Sequence, residues 1–207
     1  MALPPSPTKN PLTLLWLILR WFTPDQKKRL QRMQWWMKEE TGYSKIQATK
    51  PQTVSYALQD SPIGMLAWIC EKLECLVEPD FVWEDEVVVT WTMLYILSGS
   101  ASNARIYKEG TATMKEEVMV RRIMKDVAFG VSCFPHDVGY IPRWWAKVTV
   151  AENIVFWREH DQGGHFPSIE CSDLLVGDFR EFVEAIPGER LGVLVKAGKD
   201  GGKSGYL

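Results

Sequence analysis

The chain has 207 residues, is 46% hydrophobic and 12% aromatic, and carries a formal net charge of −2. It is long enough for one domain with a sizeable core, or a core with an inserted subdomain. The near-neutral balance gives no basic field for nucleic acid and no acidic tail. Lys27-Lys28-Arg29 is a short basic cluster followed by Glu39-Glu40 and reads as a solvated helix face.

The four cysteines, at 70, 75, 133 and 171, show no Cys-x-x-Cys spacing, and the three histidines complete no zinc pattern. Reduced thiols and a cytoplasmic location follow as the expectation, with no metal or cofactor.

Residues 1–11 hold four prolines and read as an irregular lead-in. The apolar run 12–19 is too short to span a bilayer, being bounded by Pro11 and Arg20. It lacks the flanks of a secretory signal, so burial is expected; membrane attachment through 12–22 is the alternative. Thr23-Pro24-Asp25-Gln26 is a helix start with a capping box, and the helix is expected to run to about Glu40 and stop at Gly42. A second helix starts at Ser61-Pro62, with Ile63, Leu66, Cys70 and Leu73 at helical spacing through about Val77. A third begins near Trp83-Glu84-Asp85-Glu86; its Val87–Leu97 run is apolar on nearly all sides and is expected to be deeply buried, although Val87-Val88-Val89 also suits a strand. Residues 101–125 are expected to hold one or two short helices, including 104–109.

The character then changes. Residues 127–133 read as a buried strand, Trp144 and Trp145 as an aromatic linker, 153–158 as a second strand, and 173–186 as a helix whose Leu175, Phe179, Phe182 and Val183 form a face for packing on a sheet. Glycine-rich 197–207 reads as a mobile tail. Two strands alone make no stable sheet domain, so the chain reads as the second part of something larger, with an exposed sheet edge that a second copy would cover in a possible homodimer.

Each strand exits into a chemically suggestive loop. The first ends beside His136-Asp137; the second leads into Asp161-Gln162-Gly163-Gly164-His165-Phe166, where two glycines permit a sharp turn. A loop histidine can shuttle protons near neutral pH and needs an acid to fix its tautomer. An acid–histidine pair on the exit loops of two strands is the arrangement of an α/β-hydrolase sheet, although a histidine beside glycines more often has a structural task. His136 and His160 read as neighbours of these loops only.

Longer motifs carry a resemblance. The stretch from Gly42-Tyr43-Ser44-Lys45-Ile46-Gln47-Ala48-Thr49-Lys50-Pro51-Gln52-Thr53-Val54 to Tyr56-Ala57-Leu58-Gln59-Asp60-Ser61-Pro62-Ile63-Gly64-Met65-Leu66-Ala67-Trp68 closely resembles the cap region of microsomal-type epoxide hydrolases and their fungal relatives. Arg105-Ile106-Tyr107-Lys108-Glu109 looks like a later cap motif, Phe134-Pro135-His136-Asp137 the acid-bearing loop, and Gly163-Gly164-His165-Phe166 the histidine loop.

The resemblance covers most of residues 11–186. It implies an α/β class and an incomplete α/β-hydrolase fold: a lead-in over 1–22, a helical cap over 23–110, the distal core over 111–190 and a tail over 191–207.

It further implies two-step opening of an epoxide to a vicinal diol through an alkyl-enzyme ester. Tyr43 and Tyr107 would hydrogen-bond the epoxide oxygen, His165 would activate the hydrolytic water, and Asp137 would orient His165. The substrate would be a small apolar epoxide. A phenol with a pKa near 10 stays protonated at neutral pH and can donate to a developing alkoxide. Trp68, Trp91 and Phe166 would line the pocket, or simply pack in the core.

The family's nucleophile is an aspartate in a Gly-x-Asp-x-Gly-like elbow, and no such motif occurs in the 207 residues; nor does the family's His-Gly-Trp-Pro-like oxyanion loop. The reading is therefore of an epoxide hydrolase-like chain lacking the nucleophile-bearing half and inactive alone. The alternative is a non-catalytic truncated paralogue serving as a binding module.

Overall fold

The computed structural model describes residues 22–99, 103–110 and 127–188, with isolated positions at 11, 15 and 19. Most of the expected lead-in and of 101–125 lies outside the described residues, as do the tail and most of the apolar run 12–19; the two described residues of that run, Leu15 and Leu19, are exposed, against the expected burial. The first half is helical. Helix α1 spans Pro24–Trp35 and continues as a π-helical turn over Trp36–Glu40. Thr23 caps it as the capping box requires: its hydroxyl accepts from the Gln26 amide while the Gln26 side chain accepts from the Thr23 amide, both at 3.2 Å.

The helical run does stop before Gly42, but not through a left-handed glycine cap. Gly42 opens helix α2, Gly42–Thr49, and helix α3, Pro51–Asp60, follows with Pro51 in its first turn, where a missing N–H costs nothing. Helix α4 spans Pro62–Leu76; Ser61 caps it, accepting from the Gly64 amide at 3.0 Å.

The buried face of α4 is not the expected one. Met65, Ile69, Leu73 and Leu76 point inward, while Ile63 is exposed. A helix with apolar residues on most positions offers several candidate stripes, and packing selects among them. Here Met65, Ile69 and Leu73 join Val54 and Leu58 of α3 and Ala104 in one core, with Trp68, Trp83, Trp91 and Phe166 packed around it.

Helix α5 spans Asp85–Ser98, which settles the helix-or-strand ambiguity at Val87-Val88-Val89. Its expected deep burial is overturned: only Thr92 is buried, and Val89, Met93, Leu94, Tyr95 and Leu97 are exposed. A helix apolar on every side needs cover on every side, and among the described residues α5 packs chiefly on α4. Residues 103–110 are helical.

Strands β1, Phe129–Cys133, and β2, Ile154–Glu159, pair in parallel, with Cys133 opposite Glu159. Parallel neighbours need a crossover, and the segment expected as an aromatic linker supplies it as a helix, α6, Arg143–Thr149, in which Trp145 and Ala146 are buried, Ala146 in one cluster with Ala151 and Ile154.

The short α7, Pro167–Glu170, leads into α8, Ser172–Glu184, which lies on the sheet. Gly130 permits the close approach of α8: a Cβ there would stand 2.5 Å from the Phe182 ring. Phe182 and Leu175 face the strands as expected. Phe179 is 65% exposed instead, because two described strands offer too little surface to cover the whole helical face.

The buried position on α8 is polar. Asp178 is 1% exposed and takes His160 Nε2 at 2.6 Å and Arg158 at 2.9 Å. His160 is therefore more than a neighbour of the loops: it is a buried structural group, stacked on Phe134 at 4.7 Å.

Candidate active site

The carboxyl ends of β1 and β2 lie side by side, so their exit loops meet. The β1 loop turns through a bond from the Asp137 amide to the Phe134 carbonyl, and the His136 amide donates to the Gly163 carbonyl of the β2 loop at 3.1 Å. Gly163 has φ +91, the left-handed backbone that glycine adopts without strain. Gly164 passes so close to α4 that a Cβ would stand 2.5 Å from the Leu76 carbonyl oxygen.

Carboxylates pin the same loop. Glu78 accepts from the Gly163 amide at 2.8 Å, and Glu170 accepts from the amides of Phe166 and Glu78 at 2.8 and 2.9 Å. The His165 amide donates to the Leu76 carbonyl at 2.9 Å.

Helix α1 braces both loops from the other side. Arg29 Nη2 donates to the His160 carbonyl at 2.6 Å. Arg32 donates to the His136 carbonyl at 2.7 Å and the Cys75 carbonyl at 2.9 Å. The solvated-face reading of Lys27-Lys28-Arg29 thus fails at Arg29, which is 3% exposed and paired with Asp25 at 2.7 Å. Burial of the guanidinium is supported at Nε by the Asp25 carboxylate and at Nη2 by the His160 carbonyl, while Nη1 has no partner among the described residues.

His165 Nδ1 lies 2.7 Å from Asp137 Oδ1. This bond raises the His165 pKa above its ordinary value against the opposing effect of burial, and the Asp137 and Glu170 charges add to the rise. Nε2 is left without a partner among the described residues. Such an imidazole can take a proton from water at Nε2 while the carboxylate stabilises the resulting cation.

A cavity of about 490 Å³ opens beside the ring. Tyr43, Tyr107 and His165 all line it, as do Trp68, Trp91 and Phe166. Tyr43 stands in the first turn of α2 and Tyr107 in the 103–110 helix, their rings edge to face with centroids 5.6 Å apart. Burial, with the neighbouring Tyr43, pushes the Tyr107 phenol up to about 12. Asp137 does not line the cavity; it stands behind the imidazole. His136 and His160 do not line it either.

A groove of about 570 Å³ on the other side of Leu73, bordered by Leu66, Cys70, Val77, Phe81 and Val88, contains none of the four candidate residues. Among the described residues, no group of three or more His, Cys, Asp or Glu side chains is placed to hold a metal ion.

Several cavity residues are not singled out by the sequence, Lys72 and Gln47 among them. Lys72 holds its ammonium 5.1 Å from the Tyr43 ring and 5.4 Å from the Trp36 ring, paired with Glu40 and Glu71 at 2.9 Å each. Gln47 lies one helical turn beyond Tyr43. The signal for Gln47 was present as spacing: a polar residue four positions after a candidate donor shares its helix face.

An acid–histidine pair at the carboxyl ends of adjacent parallel strands, beneath a layer of helices, defines an incomplete α/β-hydrolase fold. The comparisons with known proteins agree. No family model matches the sequence. The chain is 32% identical over 164 residues to a protein of Stigmatella aurantiaca described as a putative epoxide hydrolase, and 35% identical over 159 residues to epoxide hydrolase 1 of Sus scrofa. These alignments cover 77% and 70% of this chain but 36% and 34% of those proteins.

Among solved structures, the Aspergillus niger epoxide hydrolase superposes with a TM-score of 0.69 at 31% identity, over 82% of this chain and 42% of that one. The Bombyx mori juvenile hormone epoxide hydrolase gives 0.75 at 26%, over 89% and 47%. The chain is an epoxide hydrolase-like polypeptide of the α/β-hydrolase class. It spans about a third of the length of the curated relatives it matches. No helix among the described residues is long and apolar enough to cross a membrane.

Proposed function

We propose that this chain supplies the lid, over residues 23–110, and the distal core, over 111–190, of an enzyme that opens small apolar epoxides to vicinal diols. Tyr43 and Tyr107 donate to the epoxide oxygen as the ring opens. A carboxylate outside this sequence attacks the ring carbon and forms an alkyl ester. His165, oriented by Asp137, removes a proton from water; the hydroxide adds to the ester carbonyl, and as the ester C–O bond breaks the imidazolium returns that proton to the departing oxygen, releasing the diol and restoring the carboxylate.

The observation that carries this reading is that Tyr43, Tyr107 and His165 line one cavity although they come from three separate stretches of chain. Phenol donors aimed at a developing alkoxide contribute about 3–4 kcal/mol each when one is removed from comparable sites.

No elbow aspartate occurs in the sequence, so the chain alone is expected to form no diol above background. It should still bind the diol product. Titration with a vicinal diol, followed by NMR, is expected to shift the signals of Tyr43, Tyr107 and His165 together. Binding elsewhere, or none, would overturn the reading. Joined to a segment carrying the attacking carboxylate, His165→Ala should accumulate the ester detectable by mass spectrometry.

The absent elbow also favours a second reading, a non-catalytic binding module. In that case diol would bind but no upstream segment would restore turnover.

A further inference from the structure

The mechanism above leaves one buried polar side chain without a task. Gln47 is 6% exposed and lines the same cavity as Tyr43, Tyr107 and His165. Its primary amide carries two N–H donors and a carbonyl acceptor, and it makes no hydrogen bond to any other described residue. The amide atoms are not themselves enclosed, the one enclosed side-chain polar atom without a partner among the described residues being Arg29 Nη1, so the Gln47 amide is open to a ligand in the cavity that it lines. Several polar side chains of the cavity have partners: His165 is engaged at Nδ1 by Asp137, Lys72 by Glu40 and Glu71, Asn103 by Ser98, and Tyr107 by Tyr43. Trp68, Trp91 and Ile106 give the cavity an apolar wall.

Position adds direction. Gln47 follows Tyr43 by four residues on α2, so the two side chains stand on one helix face with Cβ atoms about 5–6 Å apart. An oxirane oxygen held by Tyr43 therefore leaves the Gln47 amide within reach of a group two or three bonds away along the substrate.

We propose that Gln47 is a specificity-determining residue, whose amide hydrogen-bonds an oxygen substituent on the carbon adjoining the oxirane. This inference rests on the reading of the cavity as an epoxide and diol site. The favoured ligands are then epoxides and diols with a hydroxyl, ether or ester oxygen beside the reacting carbons, over hydrocarbon analogues of the same shape.

Two vicinal diols test this on the full chain: glycerol monobenzyl ether and its analogue with a methylene in place of the ether oxygen. The readout is the ratio of their dissociation constants, hydrocarbon over ether. Gln47→Leu is expected to lower that ratio by roughly threefold to tenfold, the worth of one net hydrogen bond. Gln47→Met, which keeps the side chain's length without its amide, should do the same and serves if the leucine variant misfolds.

An unchanged ratio in a folded variant that still binds the hydrocarbon diol would overturn this inference alone. Failure of the wild-type chain to bind either diol would overturn it together with the proposed function.

Discussion

Arg32 Nε donates to the backbone carbonyl of His136 at 2.7 Å, joining α1 to the loop that carries Asp137. The same guanidinium reaches the Cys75 carbonyl near the end of α4, so one side chain spans three elements. Arg32→Met keeps much of the stem but removes every donor. It is expected to cost about 2 kcal/mol, since hydrogen bonds to a charged group are worth about 1.5–3 kcal/mol and the two carbonyls lose their partner. Chemical denaturation measures the cost, and a weakened His165–Asp137 hydrogen bond by NMR should accompany it.

Gly164 and Gly177 make a contrasting pair. A methyl at Gly164 collides with backbone, 2.5 Å from the Leu76 oxygen and 2.9 Å from Val77 Cα, so the loop must move and His165 with it. Gly164→Ala is expected to destabilise by about 1–3 kcal/mol. At Gly177, within α8, a Cβ meets nothing within 4 Å. Gly177→Ala should stabilise by about 0.5–1 kcal/mol through helix propensity. Thermal melts of the two variants should move in opposite directions.

The His165–Asp137 bond sets a pH dependence. The folded-state pKa of His165 is raised, chiefly by that bond. The pair's contribution is thus fully present below the unfolded histidine pKa of about 6.5 and is lost as pH rises through the higher folded value. Asp137→Asn removes it. The stability difference between wild type and Asp137→Asn should be larger at pH 5.5 to 6 than at pH 9, and NMR titration should find a lower His165 pKa in the variant. Equal differences at both pH values would refute the assignment.

Tyr107 should resist ionisation. Burial first, and Tyr43 second, push its phenol up to about 12. An alkaline titration followed by tyrosinate absorbance should give matching curves for wild type and Tyr107→Phe up to about pH 10.5. A deficit of one tyrosinate in the variant should appear only towards pH 12.

Asp178 gives the opposite sign. Burial disfavours its charge, but the Ser132 and His160 hydrogen bonds and the Arg158 charge prevail, and its pKa falls below the usual carboxylate value. Its stabilisation is present above the unfolded carboxylate pKa and lost as pH falls through the lower folded one. Asp178→Ala leaves the buried His160 without its acceptor, while Arg158 keeps Glu181, and is expected to cost about 1–3 kcal/mol at neutral pH, measured by urea denaturation.

The local chemistry of the chain was legible without coordinates. Thr23-Pro24-Asp25-Gln26 contains its own cap, so the start of α1 needs no other information. Phe129–Cys133 and Ile154–Glu159 have strand composition between turn residues, and Gly163-Gly164 marks a bend that few other residues could make. The long motifs around Tyr43, Tyr107, Asp137 and His165 pointed to the family before any geometry existed.

What the tertiary structure decided were choices that local sequence leaves degenerate. Helix α4 could have buried either of two apolar stripes, and contact with α3 selected Met65, Ile69 and Leu73. Trp144 and Trp145 form a helix because parallel strands need a crossover. Arg29 is buried because the His160 carbonyl, 131 residues away, needs a donor, and Gln47 stands out only because no such partner comes near it. Which polar group is paired, and which apolar face is covered, depends on neighbours that arrive from distant positions, and free energy settles those questions only when the elements pack.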